Sequence, residues 1–125
     1  MVLIDTSIWV DYIRSGNTKL AAMLLRNQVL MHEMVLGEIA CGSLRQRTDR
    51  LETLGNLPYA DIAAHVEVLA SIERNQLFGC GIGYVDNHLL ASVLLRPGTQ
   101  LWSDDKRLAD AALRLGIAFV AGAHG

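Results

Sequence analysis

The sequence predicts an α/β domain in which a short parallel sheet is covered by helices on both faces, in three layers. Short apolar runs (Val2–Ile4, Val29–Met31, Gln100–Trp102, Ile117–Val120) alternate with longer helical segments. Strands buried on both faces read as such runs rather than as an alternating pattern. The chain has 125 residues, 51% hydrophobic and 19% charged. That supports one compact domain over residues 1–125 with its own core, and excludes disorder. A third observation gives the sheet a working edge: acids recur where apolar runs end and helices begin.

Each element has a local reason. Val2–Ile4 runs into Asp5-Thr6-Ser7, a strand meeting a helix start, and Ile8–Ile13 follows as a helix closed by Ser15-Gly16-Asn17. Thr18–Arg26 carries the helical stripe Leu20, Met23 and Leu24; Val29–Met31 is a second strand. Val35, Ile39 and Ala40 mark a helix that contains Glu38 and ends near Gly42, and Leu44–Leu54 a charged helix. Ile62, Val66, Leu69 and Ile72 predict an amphipathic helix from about Asp61 to Asn75. The loop Gly79, Gly81, Gly83 precedes the apolar helix Val85–Leu95, which Pro97-Gly98 ends. Gln100–Trp102 is a strand, Asp104–Leu115 a helix, and Ile117–Val120 a final strand.

Asp5 follows the first strand, Asp104 and Asp105 the third, Asp86 opens a helix, and Glu38 lies inside one. In an open parallel sheet the carboxyl ends of the strands form the ligand crevice, so these acids share one edge. Asp5, Asp86 and Asp104 each have a simpler reading as helix N-caps. Glu38 has no such reading, although a lone helical Glu is ordinarily a solvated one. Three or four acids on one crevice repel one another unless a cation is present, and carboxylates with water suit Mg²⁺ or Mn²⁺.

Four segments, in order, resemble PIN-domain ribonucleases: Asp5-Thr6-Ser7-Ile8-Trp9-Val10, Gly37-Glu38-Ile39-Ala40-Cys41-Gly42, Gly81-Ile82-Gly83-Tyr84-Val85-Asp86, and Leu101-Trp102-Ser103-Asp104-Asp105-Lys106-Arg107-Leu108. More narrowly, the chain is similar to VapC-type toxins of type II toxin–antitoxin systems, from Met1 to about Val120. The resemblance implies a PIN-like (Rossmann-like) fold and four acids that act in catalysis and hold the metal: Asp5, Glu38, Asp86 and Asp105. Ser7 and Ser103 match hydroxyl positions beside the first and last acids, with Asp104 secondary. It further implies Mg²⁺- or Mn²⁺-dependent endoribonucleolytic cleavage leaving a 5′-phosphate and a 3′-hydroxyl, and inhibition of growth or translation. The partners it implies are an RNA substrate, a second copy in a homodimer, and a cognate VapB-like antitoxin whose tail covers the site with an inserted Arg or Lys.

Nine of the 11 basic residues are arginine, the side chain that matches phosphate bidentately and stacks on bases. Arg14, Lys106 and Arg107 lie nearest the acidic motifs in sequence; Arg45, Arg47 and Arg50 form a second cluster, which also reads as a solvated face beside Asp49 and Glu52. These are the candidate RNA contacts.

Other readings are weaker. Cys41 and Cys80 form no metal-ligand or disulfide pattern and read as reduced, partly buried side chains. Leu89–Leu95 is too short to span a membrane, and the amino-terminal residues lack a secretory pattern, so a cytoplasmic protein is expected. His32-Glu33 lacks the second His of a zinc-protease helix because position 36 is Leu, and His65, His88 and His124 have no ligand spacing. His88 reads as a polar helix residue. Gly79–Gly83 follows no strand and is no dinucleotide fingerprint. Trp9 and Trp102 read as core. The enzymatic alternative is a haloacid-dehalogenase-like phosphatase, which wants an acid where Ser7 stands; the other is a non-catalytic interaction module whose acids are only caps. The net charge of −2 argues against a basic nucleic-acid glove, but without the four site acids nine remain against 11 basic residues. The acidity is a focused cluster.

Overall fold

A computed structural model describes residues 1–121; His124 of the expected histidines lies outside them. The described elements are β1 (Val2–Ile4), α1 (Thr6–Ser15), α2 (Thr18–Leu25), β2 (Val29–Leu30), α3 (Glu33–Ala40), α4 (Arg47–Gly55), α5 (His65–Arg74), α6 (Tyr84–Leu94), β3 (Gln100–Trp102) and α7 (Lys106–Arg114). The strands form one parallel sheet ordered β2-β1-β3, flanked by the helices in a three-layer α/β/α arrangement.

β1 is central because Val2, Leu3 and Ile4 are all buried, as a strand covered on both faces must be. Leu3 pairs with Leu30 on one side, and Leu3 and Ile4 pair with Leu101 and Trp102 on the other. That register sets the end of β1, at Asp5, beside the end of β3, at Ser103, and the Asp5 N–H donates to the Trp102 carbonyl at 2.9 Å. Trp9 and Trp102 pack in the core, as expected. The buried run Asn87–Val93 makes α6 the central helix behind the sheet. Truncating a core residue such as Leu3 or Leu90 to Ala costs about 2–5 kcal/mol.

Several helix bounds differ from the sequence reading, each for a physical reason. α1 starts at Thr6 because the extended Asp5 presents its carbonyl to the N–H groups of Ile8 and Trp9. It stops at Gly16, whose φ of +81° lets its N–H reach the Tyr12 carbonyl. α4 starts at Arg47 rather than Leu44, after Gln46 in the left-handed region. α7 starts at Lys106 because Asp105, not Asp104, is its N-cap.

Two larger corrections concern α5 and the last strand. Residues 61–64 are not helical. Asp61 holds Arg96 through two 3.2 Å hydrogen bonds, and the Ala63 N–H donates to Ser92 Oγ, so this stretch lies extended along α6. The buried face of α5 is carried by Val68 and Ser71, whereas Val66 and Leu69 of the expected apolar stripe are 71% and 48% exposed. The expected strand Ile117–Val120 reduces to one bridge, Leu101 with Ala118, because only Leu101 of β3 offers both backbone groups to it. Cys41 and Cys80 are both free and exposed, not partly buried, since each sits in an irregular segment beyond the core.

Candidate active site

The site is built at the carboxyl end of the sheet. Asp5 is only 6% exposed, yet its carboxylate makes no cap to α1. Instead Oδ2 accepts from two hydroxyls, Ser7 Oγ and Ser103 Oγ, each at 2.8 Å. Each hydroxyl in turn accepts a backbone N–H at 3.0 Å, Ser7 from Asp104 and Ser103 from Asp105. With an N–H donor on each oxygen, both hydroxyl protons point to Asp5. Oδ1 has no side-chain or backbone partner among the described residues.

Glu38 reaches the same edge from α3. Its Oε1 accepts from Thr6 Oγ1 at 2.6 Å, so the hydroxyl after Asp5 orients the second acid. Thr6 is a positioning residue that the sequence reading missed. Its one signal in the sequence is the doubled hydroxyl Thr6-Ser7 after the acid.

Asp86 lies in the first turn of α6, whose N-cap is Gly83, so it is not itself the cap. Its carboxyl is pushed above the usual carboxylate range, first by burial and next by the Asp5 charge; a hydrogen bond from the Gly83 backbone opposes this, and Asp105 and Glu38 add to the rise. Asp5, Asp105 and Glu38 therefore each act electrostatically on Asp86. Asp105 is the true cap of α7: its Oδ1 accepts from the N–H groups of Arg107 and Leu108 at 3.0 and 3.1 Å. Asp104 is exposed and contributes its backbone N–H to Ser7.

The donor set fits a hard cation. Among the described residues the ion pairs are Arg96–Asp61 and Lys106–Asp110, so no basic side chain neutralises the four acids. No three His, Cys, Asp or Glu side chains there are gathered tightly enough to enclose an ion alone. Open, all-oxygen surroundings of this kind suit Mg²⁺, which keeps several waters and takes few direct carboxylates. Asp5, Asp86, Asp105 and Glu38 are the residues that would hold it.

The basic candidates divide. Lys106 and Arg107 follow Asp105 directly on α7, and Lys106 is paired with Asp110 at 3.0 Å. Arg14 sits in the last turn of α1, the end away from Asp5. Arg47 donates from Nη2 to the Ala40 carbonyl at 2.8 Å, closing the end of α3, and Arg45 is exposed in the preceding turn. Arg50 turns elsewhere, lining a cavity of about 330 Å³ with Trp9, Tyr12, Ile13, Leu24 and Leu54.

His32 and His88 are buried and structural. His32 caps α3, accepting from the Met34 N–H at Nδ1, so its proton is on Nε2 and is donated to Ser92 Oγ at 2.9 Å. His88, a polar residue of α6 as expected, is buried against it, ring edge to face with centroids 4.9 Å apart. The phosphatase alternative fails at Ser7, whose hydroxyl is engaged by Asp5. The caps-only alternative fails because, of the four acids, only Asp105 caps a helix.

A family model for the PIN domain matches residues 2–113. "Ribonuclease VapC32" of Mycobacterium tuberculosis (strain CDC 1551 / Oshkosh) is 40% identical over 118 residues, which cover 94% of this chain and 95% of that protein. The protein of the same name from Mycobacterium tuberculosis (strain ATCC 25618 / H37Rv) matches to the same extent. The family model spans most of the chain, and the relatives align almost end to end. The chain belongs to the PIN-domain family, among its VapC-type members.

Proposed function

We propose that this protein is a metal-dependent endoribonuclease, the toxin of a type II toxin–antitoxin pair, which hydrolyses RNA phosphodiester bonds and so inhibits growth or translation. The observation that carries this reading is the meeting of Asp5, Glu38, Asp86 and Asp105 at one sheet edge with, among the described residues, no basic side chain paired to them. The two relatives, named ribonucleases, support it.

Mg²⁺ or Mn²⁺, when bound, supplies charge neutralisation at the phosphoryl oxygens and a water of lowered pKa. Asp5 and Asp86 would hold the ion most directly. Ser7 and Ser103 fix the Asp5 carboxylate in one orientation through their hydrogen bonds to Oδ2. Thr6 aims Glu38, which with Asp105 orients the attacking water in line with the scissile bond. The strand end places these groups before substrate arrives, so little reorganisation is needed during reaction.

The partners are an RNA, a VapB-like antitoxin and a second copy of the chain. An antitoxin Arg or Lys set among the four acids would replace the cation's charge. The apolar cavity between α1, α2 and α4, with Leu25 87% exposed beside it in sequence, supports a partner segment there. Exposed Ile62, Val66 and Leu69 support self-association. Among the described residues no helix is long and apolar enough to cross a membrane, and both cysteines are free, which supports a cytoplasmic site of action.

Purified protein incubated with a defined RNA tests the reading. Fragments bearing 5′-phosphates, formed with Mg²⁺ or Mn²⁺ and abolished by a chelator, are expected. Hydrolysis of a small phosphomonoester with RNA left intact would assign a phosphatase instead.

A further inference from the structure

We infer that Arg107 and Arg114 on α7, with the loop at Gly81, form a subsite for two neighbouring RNA backbone phosphates, one at each arginine, beside the scissile bond. This rests on the ribonuclease reading and names where the substrate chain runs. The pocket, about 200 Å³, is lined by Cys80, Arg107, Asp110, Ala111 and Arg114. The two arginines are seven residues apart, two helical turns, and so share a face of α7.

The pocket is cationic because its one acid is already occupied. Asp110 takes Lys106 at 3.0 Å, and among the described residues neither arginine has a carboxylate partner. Arg114 is held by neutral groups: its Nη2 donates to the Asn75 and Gln76 carbonyls at 3.2 and 3.3 Å, which orients the guanidinium without cancelling its charge.

Arg107 has a seat made for it. At Gly81 an added Cβ would stand 2.6 Å from Arg107 Nη1 and 2.7 Å from its Cδ, and φ there is +85°. Glycine thus lets the guanidinium lie on the loop that leads into α6 and Asp86. Arg107 is also two residues past Asp105, so the pocket adjoins the acidic edge on the α6 and α7 side. A polyanion drawn to four acids needs compensating charge next to them, and guanidinium matches phosphate with paired N–H donors.

The test measures single-stranded RNA binding to Asp5→Asn protein, which removes cleavage, against salt concentration, with melting curves as a folding control. Adding Arg107→Gln and Arg114→Gln is expected to weaken binding at least tenfold and flatten the log K against log salt slope by about 1.4, near 0.7 for each phosphate no longer neutralised. Arg107→Gln alone, at an exposed side chain, should flatten it by about 0.7 and decides the matter if the Arg114 variant is unstable. Gly81→Ala keeps every charge yet should weaken binding like Arg107→Gln, because it displaces that side chain. Unchanged affinity and slope in a protein whose wild type cleaves RNA would overturn the subsite alone. A wild type that neither binds nor cleaves RNA overturns the ribonuclease reading and the subsite with it.

Discussion

The Ser103 hydroxyl donates a 2.8 Å hydrogen bond to Oδ2 of Asp5, joining residues 98 positions apart. It does so because β1 and β3 are adjacent and in register, Ile4 beside Trp102. The same hydroxyl accepts the Asp105 N–H, so one side chain ties the first acid to the backbone of the last. A charged, nearly buried carboxylate is thereby held by hydroxyls rather than by a counter-ion, which leaves its charge available.

Ser103→Ala should lower kcat about 10- to 100-fold, the range seen when a group orienting a metal ligand is removed. Ser7→Ala should act similarly. The double variant should lose less than the product of the two, because both hydroxyls serve one oxygen. Steady-state cleavage rates at saturating Mg²⁺ check this; independent, multiplicative effects would show that the hydroxyls do not share one task.

Asp105 has two tasks that substitution can separate. Asp105→Asn keeps an acceptor for the Arg107 and Leu108 N–H groups but removes a charge, whereas Asp105→Ala removes both. Both should lose cleavage. Only the alanine variant should lose cap energy, about 1 kcal/mol in chemical denaturation.

Much of this was legible in the sequence because strand ends announce themselves. Val2–Ile4 and Gln100–Trp102 stand where the apolar runs place them, and with them Asp5, Ser103 and Asp105. The start of α5 was not legible, since Ile62, Val66, Leu69 and Ile72 fit a helix while Ser92 on α6 and Arg96 just beyond its end pull residues 61–64 straight. Such tertiary pulls leave no local pattern. Thr6 and the burial of His88 were hidden likewise: each depends on a partner that only the fold supplies, Glu38 for one and His32 for the other.

The acid cluster should destabilise the metal-free protein. Asp86 has a folded pKa above its unfolded value, so the folded state holds the extra proton and stability falls as pH rises through that window. Asp86→Asn should therefore melt higher than wild type in chelator at pH 7. Mg²⁺ should raise the wild-type Tm and leave that of the variant nearly unchanged. Equal Tm values in chelator would show that neither burial nor the neighbouring acids burden the Asp86 charge.

His32 makes the fold acid-sensitive in the opposite sense. Burial, and next the neighbouring His88, lower its pKa from 6.5 to about 4. Its neutral form is what caps α3 and donates to Ser92, so stability is fully present above pH 6.5 and is lost as pH falls toward 4. The expected loss is about 3 kcal/mol. Urea unfolding at pH 7.5, 6, 5 and 4 of wild type and His32→Asn, which keeps a capping acceptor, measures it; parallel pH profiles would remove His32 as the source.

The most direct measurement is RNA cleavage by Asp5→Asn in buffer of controlled Mg²⁺. Asparagine keeps the side-chain shape and an oxygen for Ser7 and Ser103 but removes the charge at the centre of the four acids. The account predicts a folded protein with cleavage lowered by at least a thousandfold, about 4 kcal/mol of transition-state stabilisation. A folded Asp5→Asn protein that cleaves RNA at the wild-type rate would contradict it.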